Sequence, residues 1–152
     1  MENKLELSDG IERSRDRIKK NGEVFTPFEI IEQMAQNCPE EDWKDPSKTF
    51  LDPTCGNGQI LCYILQRRLA SGVSPKDAIS TLFGIELMKD NVKMTRKRLR
   101  DILNTSEYDD ILEHNIVCSD IFMWDISKWC PRKERLVMKH KKTSLGGTNK
   151  VF

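Results

Sequence analysis

Two rhythms of apolar and polar positions run along the chain. Ile60, Leu61, Ile64 and Leu65 recur at three- and four-residue spacing, which predicts a helix over Gln59 to Ala70 stopped by Ser71-Gly72. Val92, Thr95, Leu99 and Ile102 predict a second over Lys89 to Leu103, with Arg96, Lys97, Arg98 and Arg100 facing water. Ile30, Ile31, Met34 and Ala35 give one apolar face to a helix that opens at Pro27, with Thr26 as N-cap and Glu29 as capping-box acid. Ser8 to Asn21 reads as a polar helical lead-in, and Pro75 to Ser80 as one or two further turns. The other rhythm is the short run: Thr49-Phe50-Leu51, Leu82 to Glu86, Ile116-Val117-Cys118 and Leu136-Val137-Met138 predict strands. Between these lie an extended piece at Gly22 to Pro27, an acidic loop at Asn37 to Ser47 and a tight turn at Gly56-Asn57-Gly58. Strands alternating with helices predict an α/β domain with a parallel sheet and right-handed crossovers.

A length of 152 residues is one domain's worth. The expected division is a helical lead-in at 1–21, a ligand-binding α/β domain at 22–130 and a tail at 131–152. The formal charge of +1 excludes a uniformly basic nucleic-acid coat. That total hides a segregation. Asp101 to Asp125 holds seven acids and no Lys or Arg, whereas Pro131 to Phe152 holds seven basic residues against Glu134. The basic tail suits contact with phosphates; a frayed, solvated terminus is the other reading. No apolar run is long enough for a membrane span, and Met1 to Asp9 has no apolar core of a signal peptide. Five cysteines without a C-x-x-C pair or a His cluster read as reduced thiols in the cytoplasm, with no metal site.

The segment Leu51-Asp52-Pro53-Thr54-Cys55-Gly56-Asn57-Gly58 carries most of the chemistry. It falls where a parallel strand hands over to a helix, and its glycines allow a sharp turn and close approach of a ligand. A strand-end acid, Asp52, leads into it, and a second acid, Glu86, ends the next strand. A carboxylate there can accept both hydroxyls of a ribose. A nicotinamide dinucleotide would want Gly-x-Gly-x-x-Gly, but Leu61 stands three residues beyond Gly58 and Asp52 would face the phosphates with like charge. A nucleoside with an ammonium group and no phosphate, such as S-adenosylmethionine, fits an acidic turn better.

These residues resemble the amino-methylating DNA methyltransferases, most of all the adenine-N6 class. Asp52-Pro53-Thr54-Cys55-Gly56-Asn57-Gly58 resembles that family's cofactor motif, and Gly22-Glu23-Val24-Phe25-Thr26-Pro27 its upstream motif. Phe83 to Leu87 resembles the ribose-binding strand end, and Asn115 to Phe122 the following strand with its adenine-side acid. The resemblance covers about residues 13–125. It implies a Rossmann-like methyltransferase domain, truncated after about four strands, that binds S-adenosylmethionine. The cofactor contacts it implies are Phe25, Thr26, Asp52, Pro53, Thr54, Gly56, Gly58, Glu86, Asp120 and Phe122. DNA is the implied substrate.

The family's catalytic tetrapeptide, an Asn, Asp or Ser followed by Pro-Pro and an aromatic, has no counterpart. The six prolines stand at 27, 39, 46, 53, 75 and 131, no two adjacent. After Leu136-Val137-Met138 comes Lys139-His140-Lys141-Lys142, which offers cations where an amine needs acceptors. Cys130-Pro131 reverses the order a cytosine-C5 nucleophile requires. Catalytic residues are therefore unassigned. The isolated chain is expected to be inactive, either as a methyltransferase homologue or as a non-catalytic cofactor-binding or interaction subunit, half of a split enzyme. A second subunit would then carry the catalytic and target-recognition half. Trp124 and Trp129 read as packing, or as a face for adenine or a base; His114 and His140 read as solvent-exposed.

Overall fold

A computed structural model describes residues 24–129. Residues 24–122 belong to one compact unit and 123–129 to a second. The expected lead-in helix, the expected strand at 136–138 and the basic stretch 131–152 lie outside the described residues.

Helices α1 (Phe28–Ala35) and α2 (Glu40–Lys44) precede strand β1 (Phe50–Asp52). Helices α3 (Gln59–Ala70) and α4 (Pro75–Ser80) lead to β2 (Leu82–Glu86). Helices α5 (Lys89–Leu103) and α6 (Asp109–Asn115) lead to β3 (Ile116–Cys118). The sheet runs β1-β2-β3 with both pairs parallel, Asp52 opposite Gly84 and Glu86 opposite Cys118. Parallel neighbours need crossovers, and these helices supply them. The chain thus has the expected Rossmann-like α/β fold, cut to three strands among the described residues.

The helices α3, α4, α5 and α6 close on the sheet by setting Leu61, Leu65, Ile79, Leu99 and Leu112 against Leu82 and Ile116 of the strands, all fully buried. Each such side chain contributes about 1.5–3 kcal/mol on leaving water. Helices as short as α2 and α6 are marginal alone, so this packing holds them. Ser74 caps α4, its Oγ accepting from Asp77 N–H at 3.1 Å, with Pro75 at the first turn. Asn104, left-handed at φ 52°, ends α5.

Four expectations need correction. The stretch 37–47 is not all loop: α2 forms there because Trp43 drives into the core, its ring stacked 5.2 Å from Phe50. Thr26 is not an N-cap. The extended backbone continues through Pro27, whose carbonyl accepts the first helical bonds. Phe25 can then lie against Gly56 while Phe28 reaches Tyr63. The apolar face of α1 is narrower than its composition: Ile31 and Ala35 are buried, but Ile30 and Met34 are 44% and 52% exposed. A short helix on the surface buries a single ridge. Finally, Arg96 and Arg98 are half-buried and turn back onto the protein. Arg96 turns back to the carbonyls of Glu113 and Ile116, where α6 ends and its carbonyls need donors.

Candidate functional site

At the end of β1 the Asp52 carboxylate turns inward and accepts the Thr54 N–H at 3.1 Å. Cys55 N–H extends the sheet ladder to Ile85 O at 2.9 Å. Gly56 and Gly58 then take left-handed conformations, φ 53° and 83°. Gly58 N–H closes the turn on Cys55 O at 2.8 Å, and Gly58 O starts α3 by accepting from Cys62. A side chain at Gly58 is excluded twice: by φ, and because a Cβ would fall 2.7 Å from Thr95 Cγ2.

This turn forms one wall of a cavity of about 400 Å³ at the C-terminal ends of the strands. That size and place are usual for a small-molecule site in a parallel α/β sheet. Seven of the residues singled out in the sequence line it: Phe25, Pro53, Thr54, Gly56, Glu86, Asp120 and Phe122. Glu86 is held at both oxygens, Oε2 by Gly56 N–H at 2.9 Å and Oε1 by Met88 N–H at 2.8 Å. Ser119 N–H donates to Glu86 O, which brings the end of β3 alongside. Asp120 Oδ1 accepts from Phe122 N–H at 2.9 Å, and the Phe122 ring stands 92% exposed at the rim. The Phe25 ring lies against Gly56: a Cβ there would sit 3.6 Å from it.

Three of the expected contacts do not line the cavity. Thr26 lies in the arm beyond Phe25, and Gly58 faces Thr95 instead. Asp52 is buried behind the turn, because its carboxylate serves Thr54 N–H. Desolvation raises its pKa and the charge of Glu86 adds to this, against the lowering effect of the Thr54 bond. Six further residues line it without having been named as contacts: Val24, Ile85, Leu87, Ser119 and Ile121, which lie within the quoted motifs, and Met88, which lies outside them. Most flank an acid at a strand end, and that adjacency was the available signal. Thr95 and Arg98, which reach the turn from behind, carried no motif.

Chemically, the cavity offers two carboxylates, Glu86 and Asp120, with apolar walls, and among the described residues no Lys, Arg or His lines it. It can accept hydroxyl or amino hydrogens and favours a cation; a phosphate would be repelled. The nearby thiols are not nucleophiles. Burial, with the Asp52 and Glu86 charges, pushes Cys55 well above the usual thiol range, and burial pushes Cys62 up to about 11. Among the described residues no group of three His, Cys, Asp or Glu could hold a metal, and no helix is long and apolar enough to cross a membrane. In the second unit, the Trp124 and Trp129 rings lie 5.2 Å apart and Lys128 sits over Trp124. His114 is exposed, its Nδ1 2.8 Å from Asn115 Oδ1.

A strand-end glycine turn, an acid held at the next strand end and a further acid beyond it stand at the mouth of a Rossmann-like α/β domain, the usual place for a ligand in such a sheet. The family model for N-6 DNA methylases matches residues 12–138, most of the chain, and the chain belongs to that family. Neither the curated proteins nor the solved structures gave a match.

Proposed function

We propose that this chain binds S-adenosylmethionine in the cavity, as the cofactor-binding part of a DNA adenine-N6 methyltransferase. The observation that carries the reading is Glu86 fixed by Gly56 N–H, so that strand-end acid and glycine turn form one preset wall. The cofactor fits the donor set. Glu86 would take the ribose hydroxyls, Asp120 and Phe122 the adenine side, and Phe25 the methionine end. Pro53 and Thr54 line the wall beside the bare backbone of Gly56, which leaves room for close approach. The acidic lining supports a sulfonium and ammonium ligand over a dinucleotide. When bound, the cofactor supplies an electrophilic methyl group.

Calorimetry with the purified chain tests this. S-adenosylmethionine should bind, and NADH should not. Glu86→Gln should lose roughly tenfold or more in affinity, since hydrogen bonds to a charged group are worth about 1.5–3 kcal/mol. The amide would also set an N–H₂ against one of two backbone N–H donors. No heat at millimolar cofactor, or a Glu86→Gln affinity within about twofold of wild type, would overturn the assignment.

A second reading, a non-catalytic cofactor-binding or interaction subunit, is favoured by one observation: the sequence holds no two adjacent prolines. An exocyclic amine attacks only when acceptors draw its lone pair out of the ring and the base is flipped and stacked. Tritiated cofactor with mixed genomic DNA separates the two. The chain alone should leave DNA unlabelled, while residues 131–152 hold DNA in a salt-sensitive, sequence-indifferent way. Label in adenine would favour the enzyme.

A further inference from the structure

Helix α5 grips the glycine turn from the side away from the cavity. Thr95, fully buried, donates from Oγ1 to Gly56 O at 3.1 Å. Arg98 Nη1 donates to Asn57 O at 2.9 Å, and Nη2 to Gln59 Oε1 at 3.2 Å. With Gly58 N–H on Cys55 O, the three successive carbonyls of residues 55, 56 and 57 each have a donor. On the other side Gly56 N–H goes to Glu86. The turn is thus a plate with α5 behind it and the cavity wall in front.

Arg98 stands where a cation is unwelcome. Gln59 opens α3, and the positive end of a helix dipole repels a guanidinium. Arg98 stays because the Asn57 carbonyl and the Gln59 side chain accept from it. Two left-handed residues in three are also costly to order, since glycine loses the most backbone freedom on folding.

We propose that Thr95 and Arg98 are positioning residues. Neither lines the cavity, yet both hold the turn so that Gly56 N–H stays on Glu86 and the site keeps its ligand-ready shape. This rests on the reading of the cavity as a cofactor site.

The test uses the whole chain. Amide hydrogen exchange by NMR is measured without ligand, and S-adenosylmethionine affinity by calorimetry. Thr95→Val keeps the shape and removes the hydroxyl, Arg98→Met removes the guanidinium, Thr95→Ser restores a donor, and Lys97→Ala is the control on the exposed face. In Thr95→Val and Arg98→Met, exchange at Gly56 and Gly58 should quicken roughly tenfold while Ile85 in β2 stays protected. Affinity should fall roughly tenfold, the loss of one or two buried hydrogen bonds. Thr95→Ser should return it to within about twofold of wild type, and Lys97→Ala should change neither reading. Unchanged exchange, or quickened exchange with unchanged affinity, would overturn the proposal. If the wild-type chain binds no cofactor, the cofactor reading fails, and exchange alone decides whether the clamp exists. A variant that fails to fold shows it by losing Ile85 protection, and the other of Thr95→Val and Arg98→Met, or the milder Arg98→Lys, then carries the comparison against wild type.

Discussion

The two ends of the sheet carry opposite charges for one physical reason. At the C-terminal ends of the strands, Glu86 accepts the N–H groups of Gly56 and Met88, where α3 and α5 are about to begin. At the other end Arg68, fully buried, donates to carbonyls where helices stop. Its Nη2 reaches Asp45 O at 2.8 Å, at the end of α2, and Nη1 reaches Ala78 O at 3.4 Å, in the last turn of α4. Nη1 also meets Thr81 Oγ1 at 2.5 Å. Helices in crossovers all start at one end of a parallel sheet and finish at the other. Free N–H groups therefore gather where carboxylates suit them, and free carbonyls where a guanidinium does. The ends differ in closure. The acidic end opens onto a cavity, while the basic end is sealed by Phe50, whose ring lies 5.1 Å from the guanidinium. Closure, not charge, separates the two: one end is an open cavity and the other a sealed structural joint.

The largest break in this comparison is expected from Arg68→Met. The thioether fills similar space but leaves the Asp45 and Ala78 carbonyls without their donor. The Ala78 carbonyl is left buried and unpaired at about 1–3 kcal/mol, the carbonyl of the exposed Asp45 costs less, and the guanidinium's contact with Phe50 goes as well, so a net loss of about 2–4 kcal/mol follows once the desolvation of the lost charge is credited. Urea unfolding should show it, with cofactor affinity per folded molecule unchanged. A matching loss of affinity would mean the two ends are coupled.

Gly58→Ala is the next largest. Its added Cβ must adopt φ near 83° and displace Thr95, which holds Gly56. Strain at a left-handed residue costs about 1–3 kcal/mol. Here, unlike at Arg68, affinity should fall together with stability, because the turn is a wall of the open end. Undiminished affinity would show that the wall tolerates a shifted turn.

How much of this was legible in the sequence follows the same division. Helices α3, α4 and α5 and strands β2 and β3 were readable to the residue, because α3 and α5 have a periodic apolar face, β2 and β3 a short apolar run, and α4 a Ser-Pro start. The seven cavity residues were legible because the turn and the strand-end acids are local patterns. What stayed hidden depends on contacts distant in sequence. Helix α2 exists because Trp43 meets Phe50, and α6, with its acidic first turn, lacked any apolar stripe strong enough to announce it. Arg68 and Arg98 look like any arginine on a polar helix face until the carbonyls they reach are brought beside them. Asp52 follows the same rule: its position at a strand end was readable, its inward turn onto the Thr54 N–H was not.

The smallest expected effect isolates that last point. In Asp52→Asn the side-chain oxygen can still accept the Thr54 N–H, so the change removes mainly a buried charge. In the folded chain burial, reinforced by Glu86, raises the Asp52 pKa above its unfolded value of about 3.9. Between the unfolded and the raised folded value the native state binds more protons than the unfolded one. Stability of the wild type therefore falls as pH rises through that window, and above it the loss is complete and flat. The variant has no such term. The difference in melting temperature between variant and wild type should be near zero at pH 3, grow in the variant's favour through the window, and hold steady to pH 7. Taking the difference cancels every other titrating group that the two chains share. A variant less stable at pH 7 would mean that the charged bond to Thr54 outweighs desolvation. Because Asp52 does not line the cavity, its neutralisation should cost less cofactor affinity than Glu86→Gln, and added salt should narrow what it does cost. An affinity loss equal to that of Glu86→Gln would return Asp52 to the ligand's contacts, and the buried end of the turn would then belong to the site.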